Sequence, residues 1–135
     1  MNRPLRNTLF TLLLALAPAA QAAEYTLFIY ESPEALALRD APGDAGLAYW
    51  NAYAEFAASL AEAGVMRGGA ALEPDGQVHA DGRRLGGYFV IDVASTELAQ
   101  QWAARAPANR QGGRVVYVAA IPSPAMPAPA PTASR

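Results

Sequence analysis

The sequence predicts an α+β fold, an antiparallel sheet with two helices packed on one face. Short β-rich runs alternate with two helical stretches between residues 24 and 121, turn signals separate them, and each helix gathers its large apolar side chains on one side.

The first run, EYTLFIY (24–30), reads as a strand closed by Ser32-Pro33. A helix follows within residues 41–64, with Asp44 as its cap and Gly64 as its C-terminal stop. Tyr49, Tyr53, Phe56 and Leu60 recur at steps of four, three and four and define its buried face. VMRGGAALEP is a second strand, loosened by Gly68 and Gly69; GQVHA is a short third, and GGYFVIDV a fourth that is apolar on both faces. The second helix, STELAQQWAARA, is capped by Ser95, buries Leu98 and Trp102, and ends before Pro107. RVVYVAAI is the last strand. The order β-α-β-β-β-α-β is the split βαβ pattern of ferredoxin-like folds with one added hairpin strand.

Two helices cover only one face of such a sheet. Yet Leu27 and Ile29 alternate with Phe28 and Tyr30, Tyr88 and Val90 with Phe89 and Ile91, and Val115 and Tyr117 with Val116 and Val118. The second apolar face therefore predicts a partner, most simply a second copy in a two-fold homodimer.

Both ends lie outside this domain. Residues 1–22 have the pattern of a secretory signal peptide: Arg3 and Arg6, an apolar stretch from Leu9 to Ala17 too short to span a bilayer, and Ala20-Gln21-Ala22 before a cleavage point at Ala23. A periplasmic or secreted location, with no membrane anchor after cleavage, is the expectation. Residues 122–135 alternate proline with small residues and read as an extended, disordered tail. The domain between them covers 23–121.

Removing Arg3 and Arg6 leaves eight arginines against twelve acidic residues, a formal charge of −4 where the whole chain has −2. With no lysine and no basic run, nucleic acid is excluded as a natural partner. The chain has no cysteine, so burial alone must stabilise it.

The stretch VHADGRRLGGYFVIDV holds the chain's single histidine. Asp81-Gly82 signals a two-residue hairpin turn, with Arg83 and Arg84 as its solvated flank and His79 facing water. His79 and Asp81 are the only catalytic candidates, because an imidazole oriented by a carboxylate can act as a general base, but no second positioned group accompanies them. No spacing of ligand residues indicates a metal, and no glycine-rich segment has the strand-to-helix context of a phosphate loop, so no cofactor is assigned. A ligand pocket is expected between the sheet and the first helix or at the dimer seam, where Tyr30, Tyr49, Trp50, Tyr53 and Arg67 would combine aromatic walls with one cation.

The blocks LFIY, LAEAGVMRGGAAL, LGGYFVIDV and QQWAARAPANRQGGRVVYV, in that order and spacing, resemble the YCII-related family, in particular its DGPF-domain branch. The resemblance implies a dimeric α+β barrel of ferredoxin-like subunits and leaves activity undefined. It also implies two departures. The loop that in the DGPF branch carries Asp-Gly-Pro-Phe is here cut to Asp81-Gly82 before Arg83-Arg84, and no histidine on the first helix supplies the proposed histidine–aspartate pair of YciI-type relatives. The functional expectation is an exported small-molecule-binding or accessory protein without catalysis; the alternative is a cofactor-independent isomerase or lyase acting on a small organic substrate.

Overall fold

In the computed structural model, residues 22–74 and 78–121 are described. Strand β1 (Ala23–Glu31) leads into a short helix α1 (Pro33–Ala37), a 3-10 turn (Leu38–Asp40) and the long helix α2 (Asp44–Glu62). Strands β2 (Met66–Ala71) and β3 (Arg84–Val93) follow, then helix α3 (Thr96–Arg105), a second 3-10 turn (Pro107–Arg110) and strand β4 (Arg114–Ala119). All pairings are antiparallel and the sheet order is β2-β3-β1-β4, an open four-stranded sheet in an α+β arrangement compatible with a ferredoxin-like fold.

Alternation along β1 decides which face is which. Tyr25, Leu27, Ile29 and Glu31 are buried, and Phe56 and Leu60 of α2 and Ala99 and Ala103 of α3 belong to the same core. Cross-strand register places Phe89, Ile91, Val115 and Tyr117 on that helix-covered side. Phe56 joins the layers, its ring edge-on to Phe89 at 5.2 Å. The opposite face carries Phe28, Tyr88, Val90, Val116 and Val118; Phe28 pairs with Tyr88 on one side and Val116 on the other. Val118 is 48% exposed, and the other four keep part of their surface open.

Several details differ from the sequence expectation. Ser32-Pro33 closes β1 by starting a helix: the Ser32 hydroxyl accepts from the Ala35 amide and Pro33 occupies the first turn, where its missing N–H costs nothing. The cap of α2 is Gly43, at φ +72°, and Asp44 sits in the first turn, where its charge favours the helix dipole. In α3 the buried residues are Ala99 and Ala103; Leu98 is 39% exposed and Trp102 partly buried. Alanines let this helix lie close against the sheet, which larger side chains would prevent.

The expected third strand is reduced to one bridge between Val78 and Arg84, and part of it, residues 75–77, lies outside the described residues. Pairing of β2 with β3 ends where the Leu72 amide reaches the Gly86 carbonyl; two residues on, Pro74 has no N–H to continue a ladder. The turn at Asp81-Gly82 holds three residues, not two: the His79 amide donates to the Arg83 carbonyl, the His79 carbonyl accepts from Gly82, and Gly82 takes φ +83°. The signal-peptide and tail assignments fall outside the described residues. Among those described, no helix is long and apolar enough to cross a membrane.

Candidate functional site

Glu31 is fully buried at the end of β1. The alternation that buries Tyr25, Leu27 and Ile29 carries it to the helix-covered side, and a buried carboxylate must find donors or be strongly destabilising. Three side chains supply them. Tyr49 and Tyr53, one helical turn apart on α2, donate their hydroxyls to Oε1 at 2.8 and 2.9 Å. Arg39, from the 3-10 turn, donates Nη2 to Oε2 at 2.8 Å. Arg39 also donates Nε to the Tyr49 hydroxyl, Nη1 to the Leu72 carbonyl and Nη2 to the Gly86 carbonyl, which ties α2, the residue after β2, and β3 to one guanidinium.

Gly86 is the extra residue of a β-bulge opposite Ile29 and Tyr30. A Cβ there would collide with Glu31 Oε2 and approach Arg39 Nη2.

The electrostatics follow from burial and from this carboxylate. Burial is the largest cause holding the Tyr49 and Tyr53 hydroxyls above their ordinary pKa, and the Glu31 charge adds to it, so both stay neutral. For Arg39, burial by itself would weaken the protonated form, but the bond to Tyr49 and the Glu31 charge together raise its pKa.

A chamber of about 120 Å³ lies over this cluster, walled by Tyr49, Tyr53, Ala70, Ala71, Gly87 and Phe89. Adjoining it is a second space, a vestibule of about 330 Å³ bordered by Leu36, Asp40, Leu72, Glu73 and Pro74. Arg39, Trp50 and Ala71 border both spaces.

Of the five ligand-binding residues expected from sequence, the structure brings three together: Tyr49, Trp50 and Tyr53. Tyr30 projects from the opposite sheet face, where the His79 ring meets it edge-on at 4.4 Å and the Arg114 guanidinium lies 5.7 Å from its centroid. Arg67 is spent on the Gly64 and Met66 carbonyls and a 3.5 Å contact with Asp92, so Arg39 is the cation of the pocket. His79 and Asp81 do not pair. Both Asp81 oxygens are engaged by Arg83, through its amide at 3.1 Å and Nη1 at 2.6 Å, bonds that lower the Asp81 pKa. Among the described residues, no three of His, Asp and Glu gather as a metal site would require.

Glu31, Arg39 and Gly86 were not legible as site residues one by one. The signal that finds Glu31 is positional: extending the inward alternation of β1 by one step places a carboxylate in the core and calls for a cation and hydroxyls around it.

An open α+β sheet with a glycine-marked β3 and a pocket between α2 and the sheet defines the class of the domain. The family model for the YCII-related domain matches residues 23–121, and the chain belongs to that family. No curated protein matches the chain.

Proposed function

We propose that this chain is an exported, homodimeric member of the YCII-related family that binds a small molecule in the chamber over Glu31 and performs no chemistry on it. The observation that carries the absence of chemistry is the closure of the cluster. Arg39 uses four of its five N–H hydrogens, Tyr49 both donates and accepts, and three of the roughly four acceptor sites of Glu31 are filled, so the cluster's hydrogen bonds are spent mainly on itself and not on a reacting molecule. Export rests on the Arg3, Arg6 and Ala20-Gln21-Ala22 pattern. Mass spectrometry of the periplasmic product should find Ala23 as its first residue; an intact chain in the cytoplasm would refute export.

The homodimer rests on the open sheet face, where Phe28 is flanked by Tyr88 and Val116. A second copy of the same face would cover it by two-fold symmetry.

The alternative, an isomerase or lyase, is favoured by one observation: a buried carboxylate borders a partly open chamber, as in proton-abstraction sites. A thermal-stabilisation screen followed by turnover assays separates the two. Stabilisation without turnover supports binding alone. Turnover of a stabilising compound, lost in Glu31→Gln, would replace it with the enzyme reading.

A further inference from the structure

The chamber and its vestibule define the kind of molecule that fits, and this inference rests on the reading that the cavity binds a ligand. An apolar cavity of roughly 150 Å³ takes one benzene ring. The chamber is of comparable size, about 120 Å³, and shares Arg39, Trp50 and Ala71 with the adjoining vestibule, so a single ring fits it and a small substituent can trail toward Trp50.

Charge and hydrogen bonding narrow the choice. Glu31 and Arg39 neutralise one another, so the inner space offers no unpaired ion to a charged ligand. Asp40 and Glu73 border the vestibule, and a further cation, Arg84, reaches its rim through a 3.0 Å bond to the Pro74 carbonyl. With Arg39 counted alongside its partner Glu31, three carboxylates stand against two guanidiniums around the two spaces, a balance that opposes an entering anion, and an ion moved inward would lose part of its water without an unpaired partner. The Tyr53 proton is committed to Glu31, which leaves the phenol oxygen as an acceptor.

We propose that the ligand is a single uncharged ring of phenol's size bearing a hydroxyl or N–H that donates to Tyr53 Oη, and that the site rejects the corresponding carboxylates. The vestibule acts as the charge filter, and the chamber selects for size.

Calorimetric titration of the full folded chain at neutral pH with phenol, toluene, benzoate and benzylammonium tests this. Phenol should bind most tightly, with benzoate weaker by about tenfold or more. Tyr53→Phe should weaken phenol about fivefold and leave toluene unchanged, a pattern that loosening of the whole site would not produce. Ala71→Leu, at a residue that borders both spaces, should weaken both by taking up that volume. Benzoate or benzylammonium binding as tightly as phenol, or an equal loss of phenol and toluene in Tyr53→Phe, overturns the inference and leaves the cavity reading standing. No binding by any of the four, or phenol binding unchanged in Ala71→Leu, removes the cavity reading with it.

Discussion

The backbone of Gly86 rests against the buried carboxylate of Glu31, so closely that a side chain on one and the charge on the other cannot share the space. Gly86→Ala should therefore push the carboxylate off its donors or open the bulge, with a loss of about 2 kcal/mol or more in chemical denaturation. Gly68 offers a control: a Cβ there meets nothing within 4 Å, and Gly68→Ala should be close to neutral.

Removing one side of the buried pair strands the other. Arg39→Met leaves Glu31 with two hydroxyl donors and no cation, and a cost of about 3 kcal/mol or more is expected. Glu31→Gln with Arg39→Met removes both charges together and should recover part of that loss. Urea denaturation of the two single variants and the double variant measures the coupling.

Alkaline titration reads the same cluster through its phenols. Folding raises the Tyr49 and Tyr53 pKa values above the ordinary 10.0, so folding favours their protonated forms. This contribution is fully present below about pH 10, where unfolded tyrosines are also neutral, and is lost as pH climbs toward the raised folded values. Stability should fall above that pH. In Glu31→Gln the loss should be shallower, because the charge that helps to hold the protons is gone. Ultraviolet absorbance of phenolate should show Tyr49 and Tyr53 titrating only as the fold opens.

Much of this domain was legible because alternation and turn chemistry act locally. Leu27 and Ile29, Ser95 as a cap and Gly64 at φ +71° after α2 are each fixed by neighbours within a few residues. The buried side of α3 was not. Leu98 and Ala99 are adjacent, and only the close approach of helix to sheet selects the smaller one for the core. The same limit separates Tyr49, Trp50 and Tyr53 from Arg39. The aromatics share a helix and could be grouped by spacing, whereas Arg39 meets Glu31, Leu72 and Gly86 only through the tertiary fold. Arg67 was the nearer cation in a sequence sense, beside the glycines of β2, but its strand aims it at Asp92.

A chain truncated after Ile121 should melt at the same temperature as the full chain. Proline and small residues from 122 onward have little apolar surface to bury, and Ile121 is already 88% exposed. Differential scanning calorimetry decides this, and a drop of several degrees would mean that the removed residues cover part of the domain.

The proposed dimer is tested by two adjacent valines that the strand sends to opposite faces. Val115 pairs with Ile29 and packs against the core beneath the helices, while Val116 pairs with Phe28 on the open side. Val115→Asp places an unpaired carboxylate inside the subunit and should unfold it, with a loss of about 3 kcal/mol or more and collapse of the circular dichroism signal. Val116→Asp places the same charge between the two sheets, so it should separate the subunits and leave their helices and strands intact. Sedimentation should then show a wild-type dimer, a folded Val116→Asp monomer, and a wild-type melting temperature that rises with protein concentration. A wild-type monomer at micromolar concentration whose stability is indifferent to Val116→Asp would mean that water, not a second sheet, covers Phe28 and its neighbours.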